Sequence, residues 1–425
     1  MFARFTGLWR HRDFMKLWAG QTVSVFGSLI GGTALPFTAI LVLKATPLEM
    51  GLLAAAGLAP GFAAGLFAGV WVDRLRRRPI LIAADLGRAL LLATIPLAAF
   101  MHQLHITQLY SVAFLNSILT IFFDVAYQSY LPTLVGREEV IAGNSKLSAS
   151  ASVAEFSGFG IAGWLIQIFT APIAVLIDAI SFLVSATTVG LIRTPEARTV
   201  AREERQGMWH EIMAGLRELL QSPILRALAS CTLIKQLGGG MIGAVILLYT
   251  NRELGFSPGI LGMIFGVGGI SAFFGAVIAP YVTRKLGIGR ASSYSLLAAS
   301  CLGFLIPLAH GATLLAALLL IVPQLLGDGC YTIYDINTLS LRQVLAPERL
   351  LGRVNASMQF ISQGGLLAGS LLGGVLGSLV GLRATLVLAF CTGLVGAVWL
   401  LLSPVRGASI PAEMLASSVP ATLQS

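Results

Sequence analysis

The chain has 425 residues, of which 56% are apolar and only 11% charged, against roughly 25% charged in ordinary soluble domains. So few charges cannot clothe a soluble surface of this size, which excludes a cytosolic enzyme, a disordered chain and a secreted disulfide scaffold. The formal charge of +9 would suit nucleic acid, but its placement along the chain argues against that partner.

Residues 1–13 are basic and lead into an apolar run too long for a signal-peptide core, so that run reads as a retained transmembrane helix. Apolar runs separated by turn-forming breaks fall at about 14–43, 48–72, 79–100, 106–131, 147–168, 171–192, 224–250, 258–283, 289–310, 312–338, 356–379 and 383–403. These twelve runs exceed the roughly ten alternating residues of a membrane β-strand, so the expected fold is an all-α polytopic membrane protein. The four cysteines lie inside the runs and read as buried hydrophobes rather than disulfide or metal partners. With the N-terminus placed inside, 23 of the 28 Lys and Arg fall in cytoplasmic segments and 3 in outside loops. That asymmetry puts both termini in the cytoplasm. The basic charge is therefore topogenic, and no nucleic-acid partner is expected.

Polar residues within the runs follow helical spacing. The first run carries Gln21, Ser24 and Ser28. Before the second, Thr46-Pro47-Leu48-Glu49 reads as a capping box with proline at the first helical position. Asp85 and Arg88, three apart in the third run, can satisfy each other. Asn116, Thr120, Asp124 and Tyr127 stripe the fourth. Glu155 lies about 12 Å into the fifth, with no Lys or Arg within four residues. Asp178 and Ser181 read as packing groups of the sixth. Residues 208–220 have the apolar spacing of an amphipathic helix on the cytoplasmic face.

The seventh run holds Thr232, Lys235, Gln236 and Gly239. In the tenth, Gln324, Asp328, Tyr331 and Asp335 share one helical face. Ionisable groups inside membrane spans are costly and functional by default. Counting from run ends near Ile224 and Thr338 places Lys235 and Asp328 at similar depths, roughly 16 and 15 Å, so these two are expected to pair. A Lys235 partner would hold Asp328 ionised, which leaves Glu155 as the first candidate for a proton carrier and Asp328 as the second.

Shifting the chain by 211 residues aligns its halves. Gly27, Gly32, Pro47, Gly51, Gly57 and Phe62 meet Gly238, Gly243, Pro258, Gly262, Gly268 and Phe273. Further along, Asp124, Asn144, Gly158 and Gly163 meet Asp335, Asn355, Gly369 and Gly374. The expected organisation is a six-helix half over 1–192, a cytoplasmic linker with an amphipathic helix over 193–223, a second six-helix half over 224–404 and a cytoplasmic tail over 405–425. Parallel halves of this kind are an architecture of secondary transporters.

The stretch from Gly69 through Asp73, Arg74 and Arg77 to Pro79 resembles the loop 2–3 signature of the major facilitator superfamily, with Arg76 where a second glycine is usual. The resemblance implies twelve helices in two pseudo-symmetric halves, with helices 1, 4, 7 and 10 lining a cavity. It also implies that Gly69 packs on helix 11 and that Asp73 and Arg77, joined by Asp124, form a cytoplasmic gate. The repeat counterpart of Asp124, Asp335, is expected to face Lys285 or Arg353. Two loop motifs, Tyr130–Val135 leading to Asn144 and Arg342–Arg349 leading to Asn355, resemble the enterobactin-exporter and macrolide-efflux branch, as does Ile177–Phe182. Phe159 stands where exporters often carry a helix 5 proline.

No ATPase, metalloprotease or nucleophile-elbow motif is present, so no catalytic residue, metal site or cofactor is expected and a proton gradient would supply the energy. The expected function is proton-coupled export of small amphipathic molecules, such as drugs or siderophores, by alternating access. The cavity candidates are Gln21, Ser24, Asn116, Thr120, Lys235, Gln236, Gln324, Asp328 and Tyr331. The expected setting is a bacterial cytoplasmic membrane, with the lipid bilayer and a small-molecule substrate as partners and the protein a monomer. A lysophospholipid or metabolite transporter or facilitator would share every feature. A membrane-embedded enzyme or sensor would need a reactive cluster that the sequence does not display.

Overall fold

A chain this apolar must satisfy its backbone N–H and C=O groups within each segment, which favours helices. The computed structural model describes residue 8 and residues 11–72, 75–136, 138–194, 208–347 and 350–408, without the side chains of 63–72, 156, 208–212 and 214. Among the described residues the first repeat contains α1 (Arg12–Leu41), α2 (Pro47–Val72), α3 (Arg77–Phe100), α4 (Ile106–Val135), α5 (Val140–Phe169) and α6 (Ala171–Gly190). After them come α7 (Met208–Gln221), α8 (Pro223–Leu248), α9 (Pro258–Leu286) and α10 (Ile288–Gly303). The chain continues with α11 (Leu314–Val322), α12 (Asp328–Leu345), α13 (Leu351–Leu379) and α14 (Leu382–Leu402).

Ten of the described spans are long and apolar enough to cross a membrane, or eleven if α5, bent by 45° between Glu155 and Ser157, counts as one. The second helix is apolar over Pro47–Phe62, so the architecture is compatible with twelve spans. Several helices outrun their apolar stretches. The fourth continues to Val135, the fifth begins at Val140, and α12 reaches Leu345 rather than stopping near Thr338. Hydropathy marks where a helix meets lipid, whereas backbone hydrogen bonding carries it further into the polar layer.

Pro323 lacks an N–H and would clash with the preceding turn of a regular helix. The chain widens there into a π-helical turn, Pro323–Gly327, which joins α11 to α12 in one span. At the start of α2 the expected capping box is formed. The Glu49 carboxylate accepts from the Thr46 backbone N–H at 2.7 Å and from its hydroxyl at 3.0 Å.

Packing divides the chain into two units. One comprises Met1–Arg205, Gly243–Gly266 and Ser370–Leu382. In it, Gly27 and Gly31 let α1 approach Ser181 and Asp178 of α6 with no room for a Cβ, consistent with the packing role read for Asp178. Asp13 ties the start of α1 to the end of α6. Its carboxylate binds Lys16 at 2.7 Å and accepts from the Thr194 N–H at 2.9 Å and hydroxyl at 2.7 Å. Arg88 pairs with Asp85 as expected, and its guanidinium lies between Phe123, 4.3 Å from the ring centre, and Phe182, 4.0 Å away.

Two backbone-to-backbone helix crossings close this unit, and they are images of each other in the repeat. A Cβ on Gly51 of α2 would stand 2.7 Å from the Gly374 Cα of α13. One on Gly262 of α9 would stand 3.0 Å from the Gly163 Cα of α5. Gly51 and Gly262 are 211 apart, as are Gly163 and Gly374. Only glycine permits contacts this close.

The other unit comprises Gln206–Ile242, Val267–Gly369 and Arg383–Ser425. Its core gathers Leu228, Cys231, Tyr334, Leu341 and Leu400. Leu219 of α7 joins this core, and Gly215 of α7 sits against the Arg353 carbonyl and Ser357 of α13. The amphipathic segment is thus a helix seated on the unit. Small residues also bring α9 onto α12, where the Ser271 hydroxyl accepts from the Gly329 N–H at 2.8 Å.

Candidate functional site

Helices α8, α12 and α13 enclose a cavity of about 710 Å³ in the second unit, within the range of small-molecule sites. Lys235 projects into it from α8 and forms an ion pair with Asp335 of α12 at 2.6 Å. The rings of Tyr334 and Tyr331 lie 4.8 and 5.5 Å from the ammonium, close enough for cation–π attraction. Gln236, the next residue of α8, donates to the Ser362 hydroxyl of α13 at 3.0 Å. Lys235, Gln236 and Asp335 therefore converge, with Tyr331 beneath the ammonium.

The pairing corrects the expectation for Lys235. Its partner is Asp335, not Asp328, and Asp335 faces neither Lys285 nor Arg353 in an ion pair. Lys235 lies 12 residues from Pro223 and Asp335 lies 10 from Leu345, roughly 18 and 15 Å along their helices. Placing the end of α12 at Thr338 instead of Leu345 had shifted the depth by seven residues, two helical turns. The polar face was right and its height was wrong. Asp328 instead opens α12 beside Gly268 of α9, whose Cβ position also falls 2.9 Å from the Gln324 amide oxygen.

The pair yields a direct prediction. Lys235→Met and Asp335→Leu should each impair transport and thermal stability, and the double variant should recover part of both. Asp335 is 60% exposed, so the coupling in a double-mutant melting cycle should sit toward the lower end of about 0.5–3 kcal/mol. A double variant no better than the worse single one would remove the pair from the mechanism.

The remaining candidates are spread through the first unit. Ser24 is buried on α1, and the Gln21 side-chain oxygen is buried without a hydrogen-bond donor. On α4 the Thr120 hydroxyl donates to the Asn116 backbone carbonyl at 2.9 Å, while the Asn116 side-chain oxygen is buried and unbonded. Asp124, on the same helix, lies within electrostatic reach of Arg88, which stands 11 residues into α3 from Arg77. Arg77 opens α3. Glu155 is exposed where α5 bends. Gly69 lies on the part of α2 described without side chains, and Asp73 lies outside the described residues.

Sequence reasoning passed over two cavity residues. Arg342 and Asn355 both line the cavity, yet they had read as parts of a loop motif, as a positive loop charge and as a repeat match. Arg342 follows Asp335 by seven residues and so continues its helical face.

A family model described as Major Facilitator Superfamily matches residues 17–369. The chain belongs to that superfamily. It is a multi-pass membrane protein of a transporter family rather than of an enzyme family. The superfamily member is 28% identical over 349 residues to the multidrug efflux pump Tap of Mycolicibacterium fortuitum, covering 80% of this chain and 83% of the relative. It is 26% identical over 215 residues to macrolide efflux protein A of Streptococcus pyogenes, covering 51% of this chain and 53% of that protein. These relatives agree with the branch suggested by the loop motifs. In fold it resembles a bacterial homologue of the iron transporter ferroportin in an inward-facing state, with a TM-score of 0.76 at 16% identity, covering 93% of this chain and 99% of the other.

Proposed function

We propose that this superfamily member is a proton-coupled exporter of small amphipathic molecules, working by alternating access in a bacterial cytoplasmic membrane. The observation that carries the reading is the mixed polar and apolar cavity around the Lys235–Asp335 pair, set within otherwise apolar spans. Similarity to a multidrug efflux pump over most of the chain supports the outward direction. In this reading the protein is a monomer with both termini in the cytoplasm, and its two six-helix halves are joined through α7. No cofactor is needed, because the proton gradient drives transport. Asp73 and Arg77 form the gate at the cytoplasmic ends, while Asp124 lies deeper, within electrostatic reach of Arg88.

Proton coupling requires a carboxyl that is neutral in one state and charged in the other. Glu155 forms no ion pair among the described residues and remains the first candidate. Asp328, free of the lysine once assigned to it, is a stronger second than sequence alone made it. The test is drug efflux from cells lacking their own pumps, with and without an uncoupler. Uncoupler-sensitive efflux by the parent is expected, and its absence overturns proton coupling. Glu155→Gln should abolish uphill efflux while sparing downhill exchange. Full uphill transport by that variant moves the assignment to Asp328, for which Asp328→Asn is the matching test.

A further inference from the structure

The cavity of α8, α12 and α13 carries one positive charge more than its ion pair accounts for. Asp335 neutralises Lys235, but Arg342 lines the same cavity two turns further along α12. Among the described residues no carboxylate forms an ion pair with Arg342, and its Nε is buried without a hydrogen-bond partner. A guanidinium that is half-buried and unpaired is held at a cost, which an anion with two oxygens would offset through paired N–H donors.

A second polar group points the same way. Asn355 of α13 lines the cavity, and its side-chain oxygen is also buried without a donor. Turned about its terminal bond, that amide would present N–H groups to a ligand oxygen instead. The rest of the wall includes Leu228, Leu339 and Met358, a surface for an apolar body.

We propose that this cavity binds a small amphipathic anion: one carboxylate or phosphate group held by Arg342 and assisted by Asn355, with an apolar body against Leu228, Leu339 and Met358. The inference names a substrate class for the proposed exporter and rests on that reading only for the word substrate, since binding is measured without transport. The Lys235–Asp335 pair closes the charge balance on one side, so selectivity for the anion falls to Arg342. A cation of the same size would meet an unmatched guanidinium and is disfavoured. The anion could be a soluble organic acid or the headgroup of a single-chain phospholipid, because both present the same oxygens.

The test uses three probes with one ring system and different charge: 1-naphthoate, 1-naphthylmethanol and 1-naphthylmethylammonium. Each is titrated calorimetrically into the full chain in nanodiscs of zwitterionic lipid. The parent should bind naphthoate at least about tenfold more tightly than the alcohol, the scale of one charged hydrogen-bonded contact, and the ammonium most weakly. Arg342→Gln should erase the difference between naphthoate and the alcohol, whereas Arg342→Lys should keep part of it. Lysophosphatidic acid is then added as competitor. Displacement of naphthoate assigns the site to lipid headgroups as well, and no displacement assigns it to soluble acids. Equal or absent binding of the three probes to the parent overturns the proposal, even if the Arg342 variants do not fold. So does an undiminished naphthoate preference in a folded Arg342→Gln protein. Uphill efflux plays no part in these readings, so failure of proton coupling would be seen separately.

Discussion

Arg88→Met is expected to destabilise the protein by about 3–5 kcal/mol, the range for stranding a buried charge. Asp85 is 0% exposed and Arg88 4% exposed, and the two are three residues apart on α3. Removing the guanidinium leaves the Asp85 carboxylate in a site closed by Phe123 and Phe182, with no cation to replace it. Asp124 and Asp178 also lie within electrostatic reach of Arg88, whose ion-pair partner is Asp85. The double variant Arg88→Met/Asp85→Leu should therefore recover only part of the loss. In detergent the melting temperature of the single variant should fall by roughly 3–6 °C, with much reduced monodisperse yield. A single variant that melts with the parent would show that the cluster contributes nothing to the fold. Arg88→Lys keeps the charge but loses the planar stacking against two rings, and should fall between the two.

Gly163→Val should reduce transport by about tenfold or more, since overpacking of this kind costs about 1–3 kcal/mol. A Cβ at Gly163 would stand 2.9 Å from the Gly262 Cα, and neither backbone can yield as a side chain could. Gly160, three residues earlier on α5, has nothing within 4 Å of its Cβ position, so Gly160→Ala should transport normally. Because Gly374 is the repeat image of Gly163, Gly374→Val should reproduce the defect at the α2–α13 crossing. A cysteine replacing Ser378, which accepts from the Leu48 N–H at 3.1 Å, can report on closure in a background lacking the four native cysteines. It should react faster with an impermeant maleimide when Gly374 carries valine. Unchanged transport in both valine variants would show that transport does not depend on crossings this close.

The paired crossings show how far an internal repeat can be read. A single offset of 211 aligns Gly51 with Gly262 and Gly163 with Gly374 in the sequence. The repeat said that whatever Gly51 touches, Gly262 touches an equivalent of it. It could not say that the four residues touch one another across repeats, because a sequence offset holds no information about which helices cross. Local features were fully legible. The capping box at Thr46 and Glu49 and the pair of Asp85 with Arg88 each lie within one turn of one helix, where spacing sets proximity.

Composition, the distribution of 28 basic residues and the repeat together determined a polytopic helical membrane protein with two related halves. Helical periodicity also determined which polar residues share a face, including the stripe that runs from Gln324 through Asp328 and Tyr331 to Asp335. Tertiary structure alone decided the height at which those faces meet. The stripe on α12 repeats an acid after seven residues, so Asp328 and Asp335 have nearly the same azimuth and differ by about 10 Å along the axis. Periodicity cannot choose between them. Depth depends on where each helix ends, and α12 ends seven residues beyond its apolar run because the backbone continues its hydrogen bonding after the side chains have left the lipid. That extension gave Lys235 its partner, freed Asp328 to lie beside Gly268, and carried Arg342 from an apparent loop into the wall of the cavity.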